Sequence, residues 1–223
     1  MKKNIYFLLI MNVFLFAGTA QKSVLPVKEW SASVESPFVL YISGDGGFNS
    51  FSTTLCNAFS KGGYGVTAVN SKTYFWDKKT PEQTSRDISE YLDKQFKGRV
   101  NQQLVLVGYS FGADVMPFIV NRLDTLLKPK LVSVVLISPS TSTDFEIHWS
   151  DMFGGNAKRS MDVLAEINKM DAPKVATFFG AEEGNFPVKD IQLKNYDNQT
   201  LPGGHRFDGH TDELAIALMK EFK

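Results

Sequence analysis

Residues 104–112 read L-V-L-V-G-Y-S-F-G, and A-D-V-M-P-F-I-V follows. Leu104 to Val107 are apolar without polar alternation, which suits a strand covered on both faces, as in a parallel sheet packed between helices. The run after Gly112 has the make-up of a helix over 113–123, with Pro117 early in it or kinking it. Ser110 therefore stands where a strand turns into a helix. In such a turn the serine hydroxyl projects above the sheet edge, and Gly108 and Gly112 keep bulky side chains out of the way. G-x-S-x-G alone is a weak pattern. The strand before it and the helix after it are what single out Ser110 as a candidate nucleophile rather than a serine in a structural turn.

Working outward, apolar runs rich in β-formers alternate with helix-like stretches. Strands are expected at 37–43, 64–70, 102–108, 131–138 and 174–180, and the alternating I-Q-L-K-N-Y (191–196) supplies a sixth. Helices are expected at 49–63, stopped by Gly62-Gly63, at 159–170 and at 213–222. A further helix opens with a Thr80 cap and Pro81 at its first position, with Ile88, Tyr91, Leu92 and Phe96 on one face. Residues 145–149 (F-E-I-H-W) have the composition of a short strand. Alternation of this kind gives an α/β fold: a mostly parallel sheet of about six strands flanked by helices with right-handed crossovers. The active crevice of such sheets lies at the carboxyl ends of the strands.

The 223 residues carry 24 basic and 24 acidic side chains. With no net charge and no basic stripe, a nucleic-acid partner is not indicated. Met1-Lys2-Lys3, the apolar Ile5–Ala17 broken only by Asn12, and the small residues Gly18 and Ala20 have the layout of a secretory signal peptide. The apolar run falls short of the ~20 residues of a membrane span. The expected organisation is a signal peptide over 1–20 and one domain over 21–223. The lone Cys56 has no internal disulfide partner and no basic neighbour in sequence, so it reads as a buried small side chain. Three scattered histidines and one cysteine give no metal-ligand spacing, and no cofactor is expected.

The strand ends collect the chemistry. S-G-D-G-G-F follows the first strand, G-A-E-E-G-N the fifth, and L-P-G-G-H-R-F-D the sixth. A serine needs a base, and serine hydrolases with this elbow order their residues serine, acid, histidine. His205, after the flexible Pro202-Gly203-Gly204, fits that order. His210 is the runner-up, and His148 precedes the candidate acids. Glu183 is the expected acid, with Glu182 the alternate; Asp208 is too near His205 in the chain for the triad but suits a supporting role. The amide of Phe111 is one candidate oxyanion donor, and the amide of Asp45, or of Gly46, is the other. Tyr109, Phe48, Asp45 and Asp208 are candidate substrate contacts. A carboxylate at Asp45 beside an oxyanion site makes sense for a cationic substrate. Asp114 either assists there or complements the dipole of its helix. Residues 140–157, with Trp149, Met152 and Phe153, form either a lid or a part of the core.

The set S-G-D-G-G-F, G-Y-S-F-G-A-D-V-M-P-F, T-D-F-E-I-H and L-P-G-G-H-R-F-D-G resembles the bacterial virulence protein VirJ/AcvB family over essentially the whole mature chain, in its single-domain form. The resemblance implies an α/β-hydrolase, exported to the periplasm, that hydrolyses aminoacylated phospholipid such as lysyl-phosphatidylglycerol. It implies transient contact with the membrane surface and with secretion-system proteins, and it places the family's nucleophile on Ser110 and its histidine on His205. Phe48 stands where the family usually has Trp, which keeps an aromatic wall and removes an indole donor. The competing expectations are a carboxylesterase of other specificity and a hydrolase-fold binding module.

Overall fold

The computed structural model describes residues 25–31, 36–148, 158–184 and 186–223. The expected signal peptide and the residues Trp149, Met152 and Phe153 lie outside the described residues. In chain order the elements are β1 (Val27–Trp30), β2 (Phe38–Ile42), α1 (Ser50–Lys61), β3 (Gly65–Val69), α2 (Ser71–Tyr74), α3 (Pro81–Gln95), β4 (Leu104–Tyr109), α4 (Phe111–Asn121), β5 (Leu131–Ile137), β6 (Ser142–Thr143), β7 (Met161–Asp162), α5 (Val163–Ile167), β8 (Val175–Gly180), β9 (Tyr196–Leu201) and α6 (Thr211–Met219).

Seven strands form one sheet in the order β1-β3-β2-β4-β5-β8-β9. All neighbours are parallel except β1, which runs antiparallel to β3 at one edge. Residues alternate between two cores, because successive side chains on a strand point to opposite faces. Leu40, Ile42, Leu104 and Leu106 face α3, α4 and α5. Val39, Tyr41, Val105 and Val107 face α1 and α6. β4 lies in the interior of the sheet and is buried at every residue, so its carboxyl end, where Ser110 follows, is held from both sides.

The helices start where their sequences say they should. Thr80 accepts from the Gln83 amide at 3.1 Å while the Gln83 side chain accepts from the Thr80 amide at 3.0 Å, a reciprocal cap ahead of Pro81. Asn49 caps α1 through the Ser52 amide at 2.9 Å. Pro117 is the seventh residue of α4 and leaves one backbone acceptor of the preceding turn without its usual donor.

Three expectations are corrected. The sixth parallel strand is 196–201, not 191–196; it pairs with β8 from Val175↔Tyr196 to Gly180↔Leu201. Asp144–His148 is not a strand; Phe145 instead buries its ring between Phe75 and Phe118. The helix expected over 159–170 is confined to Val163–Ile167, because Met161 and Asp162 pair with Thr143 and Ser142 in a two-stranded ribbon. Beside the ribbon strands β6 and β7, two further elements are additional: β1 and the single turn α2. Cys56 is fully buried on the inner face of α1, and burial pushes its thiol far up, so it is an inert packing residue.

Candidate active site

Ser110 is the junction between β4 and α4. Its backbone adopts φ 52° and ψ −122°, a conformation that costs an L-residue energy and is kept only where surroundings enforce it. They do so through hydrogen bonds: the Ser110 amide donates to Ile137 O at 2.8 Å, and its carbonyl accepts from the Ala113 and Asp114 amides at 2.7 and 3.0 Å. Both flanking glycines are sterically required. A β-carbon on Gly108 would stand 2.4 Å from Gly112 O, and one on Gly112 would stand 2.1 Å from Ile42 O.

The loop after β9 delivers His205 to the serine. Nε2 lies 2.9 Å from Ser110 Oγ, and Nδ1 lies 2.5 Å from Glu183 Oε1. With Glu183 ionised, Nδ1 carries the proton and donates to it, which leaves Nε2 as the acceptor for the serine hydroxyl. The second carboxylate oxygen, Oε2, accepts from Ser138 Oγ at 2.6 Å and from the Gly180 amide at 2.8 Å. Burial works to raise the Glu183 carboxyl, but the hydrogen bonds from His205, Ser138 and Gly180 outweigh it and hold the group below the usual glutamate value. The result is an ionised acid with both oxygens occupied.

Close backbone packing holds this geometry. A β-carbon on Gly180 would stand 2.3 Å from Gly204 O, so only glycine lets the end of β8 touch the histidine loop. Gly203 turns that loop at φ +96°. The Asp208 carboxylate accepts from the Gly204 amide at 3.3 Å, and Phe207 anchors the loop in the core against Phe51. From beneath, Tyr109 donates its hydroxyl to His205 O at 3.1 Å.

The second wall is the loop after β2. A β-carbon on Gly44 would lie 3.3 Å from the Ser110 β-carbon, so this backbone passes directly over the serine. Gly47 donates its amide to Gly44 O at 2.9 Å, closing a tight turn. The loop is tied to the end of β3, where Ser71 donates its amide to Ser43 Oγ at 3.1 Å. The Gly46 amide donates to Asp45 Oδ1 at 2.8 Å. Of the two candidate oxyanion donors in this loop, the Gly46 amide thus has an acceptor within the loop itself. Phe111, the first residue of α4, is the other candidate; amides in a helix's first turn have no acceptor within the helix. Its half-buried ring packs on Phe75 at 5.0 Å.

Ser110, His205 and Glu183 are thus brought together, and other expected residues are not. Glu182, next to the acid, is exposed, and among the described residues its carboxylate has no hydrogen-bond partner; Oε2 lies 3.4 Å from where a β-carbon on Gly204 would stand. His210 pairs with Glu213 at 3.4 Å on the surface, and His148 with Asp144 at 2.7 Å. Tyr109 is 3% exposed and lies beneath the histidine loop rather than against a substrate; burial pushes its phenol up to about 12. Asp208 shapes the loop, as its bond to Gly204 shows. Phe48 is half-buried against the α1–α6 core. Asp114 does not reach the substrate side: it is buried and accepts from the Ser140 amide at 2.5 Å and its hydroxyl at 3.1 Å. Burial pushes the Asp114 carboxyl up to about 7, against the pull of those bonds. Ser138 escaped sequence reading, because its partner Glu183 is 45 residues away. Among the described residues no cluster of histidine, cysteine and carboxylates could hold a metal ion.

A family model described as bacterial virulence protein (VirJ) matches residues 36–223. No curated protein matches the chain. Among solved structures, Est1E from Butyrivibrio proteoclasticus is similar at TM-score 0.63 and 16% identity, covering 88% of this chain and 92% of that one. A lipase-esterase related protein from Clostridium acetobutylicum is similar at TM-score 0.64 and 13% identity, covering 89% and 100%. At such identities these likenesses speak for the fold, which is that of the α/β-hydrolases.

Proposed function

The chain belongs to the VirJ family of bacterial virulence proteins, and from that premise we propose that it is a serine esterase acting on aminoacyl esters of phospholipid, of the lysyl-phosphatidylglycerol kind. The observation that carries the reading is the continuous relay from Ser110 Oγ through His205 to Glu183, at 2.9 and 2.5 Å.

Ser110 Oγ attacks the aminoacyl carbonyl carbon while His205 Nε2 takes the hydroxyl proton. Glu183 holds the imidazole in the tautomer that can accept that proton and stabilises the imidazolium that forms. The Phe111 and Asp45 amides donate to the developing oxyanion, each such donor being worth on the order of 3 kcal/mol of barrier. Collapse of the tetrahedral intermediate breaks the ester C–O bond, and the lipid hydroxyl leaves with the proton from His205. Water, deprotonated by the same nitrogen, attacks the acyl-serine and releases the free amino acid.

The Asp45 carboxylate stands beside the oxyanion site, where it would oppose a neutral substrate's developing charge and favour one that brings an ammonium group. The N-terminal leader layout, with this substrate, points to a periplasmic protein that meets the membrane surface transiently; contact with secretion-system proteins belongs to the same family-based reading. The test is incubation with vesicles containing lysyl-phosphatidylglycerol, with free lysine measured by mass spectrometry. Release by the wild type and not by Ser110→Ala is expected. Absence of lysine release by a protein that turns over simple esters would discard the aminoacyl-lipid assignment. Unchanged preference between cationic and neutral aminoacyl esters in Asp45→Asn would discard the role of that carboxylate.

A further inference from the structure

The segment Ser138–Pro139–Ser140, just beyond β5, is tied at both ends to the relay's supports. At one end Ser138, 3% exposed and at φ 50°, donates its hydroxyl to Glu183 Oε2 at 2.6 Å. At the other, Ser140 donates its amide to Asp114 Oδ1 at 2.5 Å and its hydroxyl to Oδ2 at 3.1 Å. Asp114 lies in the first turn of α4, the helix that begins at Ser110, and its amide in turn donates to the Ser110 carbonyl at 3.0 Å. The Ser138 amide is fixed as well, donating to Phe178 O on β8 at 2.8 Å.

We infer that Ser138–Pro139–Ser140 is a strap that sets the acid relative to the nucleophile, with Ser138 and Asp114 as positioning residues. The strap connects two groups that no strand pairing registers with each other: the side chain of Glu183, on a turn after β8, and the first turn of α4. Glu183 can rotate about its side-chain bonds, and His205 holds only Oε1. Ser138 and Gly180 hold Oε2, and of these only Ser138 also leads to α4. Its left-handed backbone is uncommon for a residue other than glycine, asparagine or aspartate, which fits a position kept for its hydroxyl rather than its backbone preference. Ser138 and Asp114 are buried, and each polar group of Asp114, Ser140, Ser138 and Glu183 in this chain has at least one hydrogen-bond partner, as a rigid device requires.

This inference rests on the hydrolase reading, and the test separates the two. The readout is the rate at which a fluorophosphonate probe labels Ser110, followed by intact mass. It needs no knowledge of the substrate and depends on activation of the serine. Ser138→Gly removes the hydroxyl and suits the backbone angle, so the variant retains its fold. Labelling is expected to slow about ten-fold or more, the factor carried by a lost hydrogen bond to a charged group. In a Glu183→Ala background the same change is expected to add almost nothing, since Ser138 acts through that acid. Asp114→Ala is expected to slow labelling, and Asp114→Asn, which keeps an acceptor for the Ser140 amide, to restore most of it. Wild-type rates in Ser138→Gly overturn the strap, and so does an equal slowing with and without Glu183. Equal rates in Asp114→Ala and Asp114→Asn overturn the role of Asp114. A folded wild type that takes no label at all overturns the hydrolase reading and the strap together.

Discussion

Gly180→Ala adds a single methyl group at the end of β8, where the backbone amide already holds Glu183 Oε2 at 2.8 Å, and it should disable the serine. The new β-carbon would stand 2.3 Å from Gly204 O and 2.4 Å from Gly203 O, where real contacts are essentially never under 3.0 Å. Both obstacles are backbone, so no side chain can swing aside. The end of β8 and the histidine loop must part by ~0.7 Å at the least, since overpacked backbone relaxes only by moving. His205 is the next residue in that loop, and its Nε2 now lies 2.9 Å from Ser110 Oγ. Carried into the ring along the bond, the displacement takes the pair beyond hydrogen-bonding distance. Misplacement on the order of 1 Å costs about 100-fold in rate, or roughly 2.7 kcal/mol of barrier. Overpacking also destabilises by about 1–3 kcal/mol, a few degrees in Tm for a domain of this size. The assay is fluorophosphonate labelling followed by intact mass, with thermal unfolding measured in parallel. Gly184→Ala is the control, because among the described residues no atom beyond its chain neighbours lies within 4 Å of the added β-carbon. The expected result is a folded Gly180→Ala that labels about 100-fold more slowly, beside a Gly184→Ala that labels normally. Equal labelling of Gly180→Ala and wild type would refute the claim that this backbone contact sets the histidine.

Asp114 carries a pH dependence whose sign is fixed by its burial. Its folded pKa, about 7, lies above the usual carboxylate value of 3.8, so its contribution to stability is fully present below pH ~4 and is lost as the pH rises through ~7. Asp114→Asn removes that loss, and denaturant unfolding should show it more stable than wild type at pH 8, by at most about 4 kcal/mol, with the advantage gone near pH 4; a pH-independent difference would contradict this. Tyr109→Phe deletes the bond to the His205 carbonyl while leaving the ring packed on Phe51, and labelling should slow about five-fold, the worth of ~1 kcal/mol, with little change in Tm. Thr80→Ala breaks the reciprocal cap of α3 far from the site; unfolding should show a loss of about 1 kcal/mol with labelling unchanged.

The interior of the fold was legible in the sequence because its strands are buried on both faces. L-V-L-V and L-V-S-V-V-L-I need no partner information to read as strands, and Thr80-Pro81 announces its helix. The edges were not legible for the converse reason. β9, Y-D-N-Q-T-L, pairs only with β8 and leaves Asp197, Asn198 and Thr200 exposed, so the more apolar segment just before it drew the assignment. β1 has only four residues, too few for periodicity to register.

The site divides similarly. Ser110 and His205 follow from the glycines around them and from chain order. Glu182 and Glu183 are adjacent identical carboxylates, and sequence cannot separate them. The fold does so through the backbone: the Glu182 amide donates to Gly203 O at 3.1 Å and the Glu183 amide to Gly180 O at 2.9 Å. That tight turn carries the second side chain inward and the first into solvent. Ser138 was invisible, and the partner of Asp114 was too, because each pair meets only through the fold, across 45 and 26 residues. The bond between the Gly46 amide and the Asp45 carboxylate lies within one turn, and no spacing rule anticipates it.

The most direct measurement of the central claim is the intact mass of the folded protein after treatment with a fluorophosphonate probe, on wild type and on Ser110→Ala. One adduct per wild-type chain and none on Ser110→Ala is the expected result, with labelling strongly slowed but measurable in Glu183→Ala and unchanged in Glu182→Ala. No adduct on a wild type whose unfolding is cooperative would contradict the claim that Ser110, His205 and Glu183 form a working relay.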